Sequence, residues 1–163
     1  NLYEYVVLLD IDEVIMPLLD RNWDELLRRV NKDSLEIDAF YAVNFYFPET
    51  PHNKPVPDIP EYFYMIHSVQ RQTKFGIYGG AEKSFFVPDR LLTVHNHRPM
   101  FCLNKVPCKR REIPVKFSHL NHYHNDSKAI GLPEVVLDLT ILKFKDELVK
   151  AVNETLIATG FVP

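Results

Sequence analysis

The hydrophobic pattern of the chain consists of short apolar runs and two stretches of helical periodicity. Tyr5-Val6-Val7-Leu8-Leu9 is an apolar run bounded by polar residues, the pattern of a strand buried on both faces inside a parallel α/β sheet. It leads directly into Asp10-Ile11-Asp12-Glu13. After Pro17, residues Trp23, Leu26, Leu27 and Val30 fall on one stripe, with Asp24, Glu25, Arg28 and Arg29 opposite. That spacing predicts a helix over 22–30. The aromatic and β-branched run over 39–47 predicts a further strand of the same sheet.

The proline-rich segment 48–60 cannot enter a ladder and reads as a loop; residues 61–71 then read as a helix. A turn is expected at 76–80, followed by strands over 83–87 and 91–95 joined through Pro88-Asp89, and by short strands over 100–103 and 115–120. Ile141, Phe144, Leu148, Val152 and Leu156 recur every three or four residues and predict a long helix over 139–159. Asp138 is its expected N-cap and Gly160 its stop.

A length of 163 residues is enough for one domain with a sizeable core, so the reading is α/β, a single domain spanning 1–163. The net charge of -3 provides no broad positive field for nucleic acid. Lys105 with Lys109-Arg110-Arg111 is too short a cluster to change that, and reads as a solvated loop face. No apolar run reaches the roughly 20 residues of a membrane helix. The chain opens at Asn1, almost on its first strand, so it is expected to be the C-terminal portion of a longer protein, with any membrane anchor outside it.

Chemistry enters at the acidic stretch. If the extended geometry persists through Asp12, the period of two places Asp10 and Asp12 on one face, Cα atoms roughly 6.5 Å apart. Glu13 adds a third negative group. Like charges that close require a cation, or one of them takes a proton. Mg²⁺ or Mn²⁺ meets that need and shares its coordination sphere with substrate phosphates; the plainer alternative is a solvated turn or a helix cap. Histidines group at His95-Asn96-His97 and at His122-Tyr123-His124, with His119 upstream. One of them could complete an Asp-Asp site, and loop hydrogen bonding is the alternative. Lys83 could neutralise a diphosphate as a point charge. Cys102 and Cys108 could form a disulfide or stand as two free thiols.

The order of these motifs resembles the C-terminal half of family 92 glycosyltransferases: apolar strand, Asp10-Ile11-Asp12-Glu13, aromatic strand, the stretch from Gly80-Ala81-Glu82-Lys83-Ser84 to Pro88, His95, then Leu120-Asn121-His122-Tyr123-His124. The likeness runs from about Tyr5 to the terminal helix. It implies a partial GT-A-like mixed sheet flanked by helices, lacking the N-terminal nucleotide-binding half. It also implies a UDP-sugar donor, UDP-galactose in known members, a glycan acceptor, Mn²⁺ or Mg²⁺, transfer with inversion, and a lumenal, Golgi-membrane setting. By resemblance Asp10, Asp12, Lys83 and Ser84 bind the donor, Asp10 and Asp12 hold the metal with His122, and the lumenal setting favours a Cys102–Cys108 disulfide. His124 departs from the Arg of many relatives, and Phe85-Phe86 from smaller aliphatics.

An inverting transfer needs a carboxylate to take the acceptor's proton; Asp58, Glu61 and Glu82 are the candidates. Two alternatives stand beside this reading. Asp10-Ile11-Asp12-Glu13-Val14 also fits the first motif of haloacid dehalogenase-like phosphatases with Asp10 as nucleophile, although no Gly-Asp-x-x-x-Asp follows. An inactive, glycan-binding remnant of a transferase is the other.

Overall fold

A computed structural model describes residues 2–33, 36–48, 56–74, 81–104, 107–124 and 134–161. The turn expected at 76–80, most of the loop over 48–60 and Lys105 lie outside these residues. In chain order the first elements are β1 (Val6–Val7), β2 (Glu13–Pro17), α1 (Trp23–Val30), β3 (Ala39–Ala42), β4 (Asn44–Tyr46), α2 (Tyr64–His67) and β5 (Gln70–Gln72). Then come β6 (Lys83–Phe86), β7 (Leu91–Val94), β8 (Pro99–Cys102), β9 (Arg110–Glu112), β10 (Ser118–His122), β11 (Val135–Leu137) and α3 (Lys145–Ala158). The chain is α/β with mixed sheets and few helices, and it divides into two units, Asn1–Tyr46 with Thr73–His122 and Phe47–Gln72 with Tyr123–Pro163.

The first unit holds a four-stranded sheet ordered β1-β6-β3-β9 and a three-stranded sheet ordered β2-β10-β4. In the second sheet β10 runs antiparallel to β2 and parallel to β4, so His122 at its end lies opposite both Glu13 and Tyr46. Ile15, Leu26, Leu27, Phe40, Phe85, Ile113 and Leu120 form the buried core, each such side chain contributing roughly 1.5–3 kcal/mol of burial free energy. Helix α1 closes over this core as its stripe predicts. Asn22 caps it by accepting from the Glu25 N–H at 2.9 Å, acidic residues fill its first turn and basic ones its last, and Trp23 Nε1 donates to the Ile15 carbonyl at 2.8 Å.

Three expectations for the first unit change. The run Tyr5 to Leu9 is not a strand buried on both faces: only Val6 and Val7 pair, antiparallel, at the sheet edge. Tyr5, Val7 and Leu9 pack on the core, whereas Val6 and Leu8 point outward, 40 % and 41 % exposed. A continuous apolar run does not distinguish one-faced from two-faced burial. Nor does extension persist through Asp12: residues 10–13 form a turn in which the Glu13 N–H donates to the Asp10 carbonyl at 3.1 Å, so strand period does not align Asp10 with Asp12. The aromatic run over 39–47 serves two sheets, changing from one to the other at Val43, whose carbonyl accepts from the Leu120 N–H.

Strands β7 and β8 form a separate antiparallel hairpin. Cys102 and Cys108 are joined in a disulfide, Cα atoms 5.6 Å apart, tying the base of that hairpin to the segment entering β9.

In the second unit, residues 61–71 do not form one helix. Tyr64–His67 makes a single turn, and the chain then becomes β5, paired antiparallel with β11. That partner is distant in sequence, and local propensity yields to it. The final helix begins with a 3₁₀ turn over Thr140–Phe144 and continues as α3. Leu148, Val152 and Leu156 occupy half-buried positions, and Gly160 ends the helix at φ 74. Asp138 caps the entry, accepting from the Thr140 N–H at 3.0 Å, and is ion-paired with Arg71 at 2.7 Å. Among the described residues no helix is long and apolar enough to cross a membrane.

Candidate functional site

The acidic turn and the first residue of β6 meet at the edge of the interior of the first unit, where Glu13 and Lys83 are buried and the Asp10 side chain remains 56 % exposed. Lys83 is fully buried, and its Nζ lies 2.9 Å from Asp10 Oδ2, 3.0 Å from Glu13 Oε2 and 2.8 Å from Asn96 Oδ1. An ammonium has three N–H donors and no acceptor, so these three oxygens satisfy it fully. Glu13 Oε2 also accepts the Asp10 N–H at 3.0 Å, which closes the turn on itself. The hydrogen bond from Lys83 is the main influence holding the Asp10 carboxyl below the ordinary aspartate range; partial desolvation opposes it, and the Lys83 charge and the Asn96 amide add to it.

Asn96 reaches this cluster because the hairpin turn between β7 and β8 is fastened to β6. Ser84 Oγ donates to the His97 carbonyl at 2.8 Å, and His97 Nδ1 stands 2.9 Å from the Glu82 carbonyl. The Ser84 hydroxyl, expected at the donor, is therefore bonded to backbone and buried. Glu82 is buried and ion-paired with Arg110, whose guanidinium lies over the Tyr41 ring at 4.5 Å. Burial first, then the neighbouring Glu112 charge, pushes the Tyr41 hydroxyl pKa up.

Asp12 faces a different partner. Its Oδ2 lies 3.3 Å from His122 Nε2, and His122 Nδ1 lies 3.8 Å from Glu13 Oε1. Tyr46 stacks on the imidazole with ring centroids 5.2 Å apart at 27°. Strand pairing accounts for this: β10 is the central strand, and its final residue is flanked by Glu13 on one side and Tyr46 on the other. His119, an odd number of residues away, falls on the opposite face of β10, its ring 4.9 Å from Phe45.

The structure thus gathers Asp10, Glu13, Lys83 and Asn96 into one cluster and Asp12 and His122 into another, with Glu13 touching both. Asp58 and Glu61 belong to the second unit and are exposed, Asp58 at a positive φ of 63; His124 also belongs to that unit. Glu13, Asn96 and Tyr46 were not assigned roles from sequence. Glu13 was legible as a third negative charge, but nothing local signals that Asn96 would reach Lys83 or that Tyr46 would lie on His122.

A carboxylate oxygen and an imidazole nitrogen 3.3 Å apart fit a shared divalent ion: two ligand atoms each about 2.1 Å from one ion and near right angles stand about 3 Å apart. The carboxylate of such a pair suits Mn²⁺ or Mg²⁺, and the imidazole suits first-row transition metals more broadly. Asp10 fits less well, because its Oδ2 already accepts from the Lys83 ammonium.

An acidic turn anchored by buried Glu13, with an imidazole at the end of an adjoining strand, is suited to carrying an activated, anionic substrate, and comparison with known families gives the class as glycosyltransferase. The chain matches the model of glycosyltransferase family 92 over residues 1–159 and belongs to that family. No curated protein matches the chain. Family membership decides between the two enzyme classes drawn from the sequence in favour of sugar transfer over phosphate hydrolysis.

Proposed function

We propose that this chain contributes to a metal-dependent, inverting glycosyltransferase site that moves a sugar, galactose by family resemblance, from a UDP-sugar to a glycan acceptor. The observation carrying the reading is the approach of Asp12 to His122, 3.3 Å apart at the end of β10 and braced by buried Glu13. These two side chains would hold Mn²⁺ or Mg²⁺, which supplies charge neutralisation for the diphosphate leaving group. Tyr46 fixes the plane of the imidazole by stacking, and Glu13 holds the turn that presents Asp12.

In an inverting transfer the acceptor hydroxyl attacks the anomeric carbon as the bond to the diphosphate breaks, and a carboxylate receives the hydroxyl proton. Glu82 is poorly suited to that task because it is buried against Arg110. Asp58 and Glu61, the other two candidates, are exposed. The Cys102–Cys108 disulfide supports an oxidising compartment, in keeping with the Golgi lumen.

The test is sugar transfer from UDP-galactose to glycan acceptors with Mn²⁺, after chelation, and in an Asp12→Ala variant. Chelation is expected to abolish transfer and added Mn²⁺ to restore it, and Asp12→Ala to lower the rate by about 100-fold or more, the scale of losing one electrostatic stabiliser of the transition state. Transfer that survives both treatments unchanged would overturn the reading.

A further inference from the structure

The three oxygens around Lys83 Nζ have the make-up of a cation site: carboxylates of Asp10 and Glu13 and the amide oxygen of Asn96, all within 2.8–3.0 Å. Hard divalent cations choose the same oxygen donors. Here the protein's own ammonium fills the place. The Lys83 and Glu13 side chains are 0 % and 2 % exposed, so the ammonium itself is shielded from water, while Asp10, 56 % exposed, forms the solvent-facing wall of the cage. Asp10 is fixed from several directions: Lys83 at Oδ2, the Asn96 amide at 3.4 Å, and its own N–H bonded to Glu13.

We propose that Lys83 is a built-in counter-ion and positioning residue: its ammonium occupies the cation place formed by Asp10, Glu13 and Asn96, removes Asp10 from metal binding, and sets the turn so that Asp12 alone of the two aspartates faces His122. This rests on the reading of Asp12 and His122 as metal ligands. It assigns Glu13 and Asn96, which touch no substrate in this scheme, to holding the ammonium. The Asp-x-Asp spacing here splits its two carboxylates between an internal cation and an external one.

The experiment is Mn²⁺ binding to the full chain, followed by calorimetry and by the signal of free Mn²⁺ in electron paramagnetic resonance, for the wild type, Asp10→Asn and Asp12→Asn. Asp12→Asn is expected to weaken Mn²⁺ binding by about 10–100-fold, at least the loss seen when groups supporting a metal ligand are removed, while Asp10→Asn changes it less than about two-fold, as expected of a carboxylate outside the coordination sphere. An equal loss in both variants would overturn the built-in counter-ion and leave the metal site standing. Loss in neither, or no binding by the wild type, would overturn the metal reading and this inference with it.

A second arm replaces the ammonium. Lys83→Met is expected to unfold at lower temperature than wild type, and Mn²⁺ is expected to raise its melting temperature more than that of Lys83→Met/Glu13→Gln, because the ion enters the emptied oxygen cage. Equal Mn²⁺ responses in the two variants would argue against the cage. If neither variant folds, the Asp10→Asn comparison still decides.

Discussion

Asp10 and Asp12 are two residues apart and chemically identical, yet they lie in opposite environments. Asp10, its side chain 56 % exposed, accepts from a fully buried ammonium whose three donors are all engaged. Asp12 sits on the turn, with an imidazole 3.3 Å away. Partners, more than spacing, set what a carboxylate can do. The first is paired with the Lys83 ammonium, and the second with an imidazole that an exogenous ion could share.

The sharpest way to break this contrast is to remove the ammonium. Lys83→Met leaves Glu13 buried without its cation, and denaturant unfolding is expected to show a loss of about 3–5 kcal/mol, the cost of breaking a buried pair from one side. A loss under about 1 kcal/mol would show that water reaches the cluster. His122→Ala is expected to leave folding nearly intact while weakening Mn²⁺ binding by about 10–100-fold, measured by calorimetry; unaltered binding would dissolve the distinction from the other side.

The pH dependence gives a smaller effect with a definite sign. Lys83 lowers the folded-state pKa of Asp10, so the ionised carboxylate adds stability that is fully present above the ordinary aspartate pKa. That stability disappears as pH falls from there through the depressed value. Carbon-13 titration of the Asp10 carboxyl should show a midpoint below that of an unperturbed aspartate, and Asp10→Asn should flatten the acid limb of the stability profile. A midpoint at the ordinary value would remove the claimed pairing. As the exposed control, the Arg28–Asp24 pair on α1, with side chains 78 % and 58 % exposed, should change stability by no more than about 0.5 kcal/mol on Asp24→Asn.

How much of this was legible in the sequence depends on the range of the interactions. Helix α1 was, down to its cap, because Asn22, Glu25 and the stripe of Trp23, Leu26, Leu27 and Val30 act within a few residues. Strand β6 and the hairpin strands were visible as short apolar runs. The Asp10–Glu13 turn was not, because an apolar run ending in acid reads equally as continuing strand; its closing bonds are local, while the ammonium that gathers its carboxylates comes from Lys83, seventy-three residues away in sequence. The change of sheet at Val43 was hidden because strands in both sheets need the same residue types there. The segment 61–71 failed for a related reason: β5 exists by pairing with β11, and nothing local announces that partner. At the site, the acidic stretch and His122 were found from sequence as residues, whereas their division into two clusters required the pairing of β10 with β2 and β4.

The hairpin of β7 and β8 is anchored twice, by a sulfur cross-link at its base and by Asn96 and His97 at its tip. Protein made in a thiol-rich cytosol would keep only the polar anchor, leaving the support of the Lys83 cage to a ribbon free to shift along its own length. Production in a secretory host, where oxidative folding machinery can close the cross-link, is therefore the preparation in which cation binding and transfer should be measured.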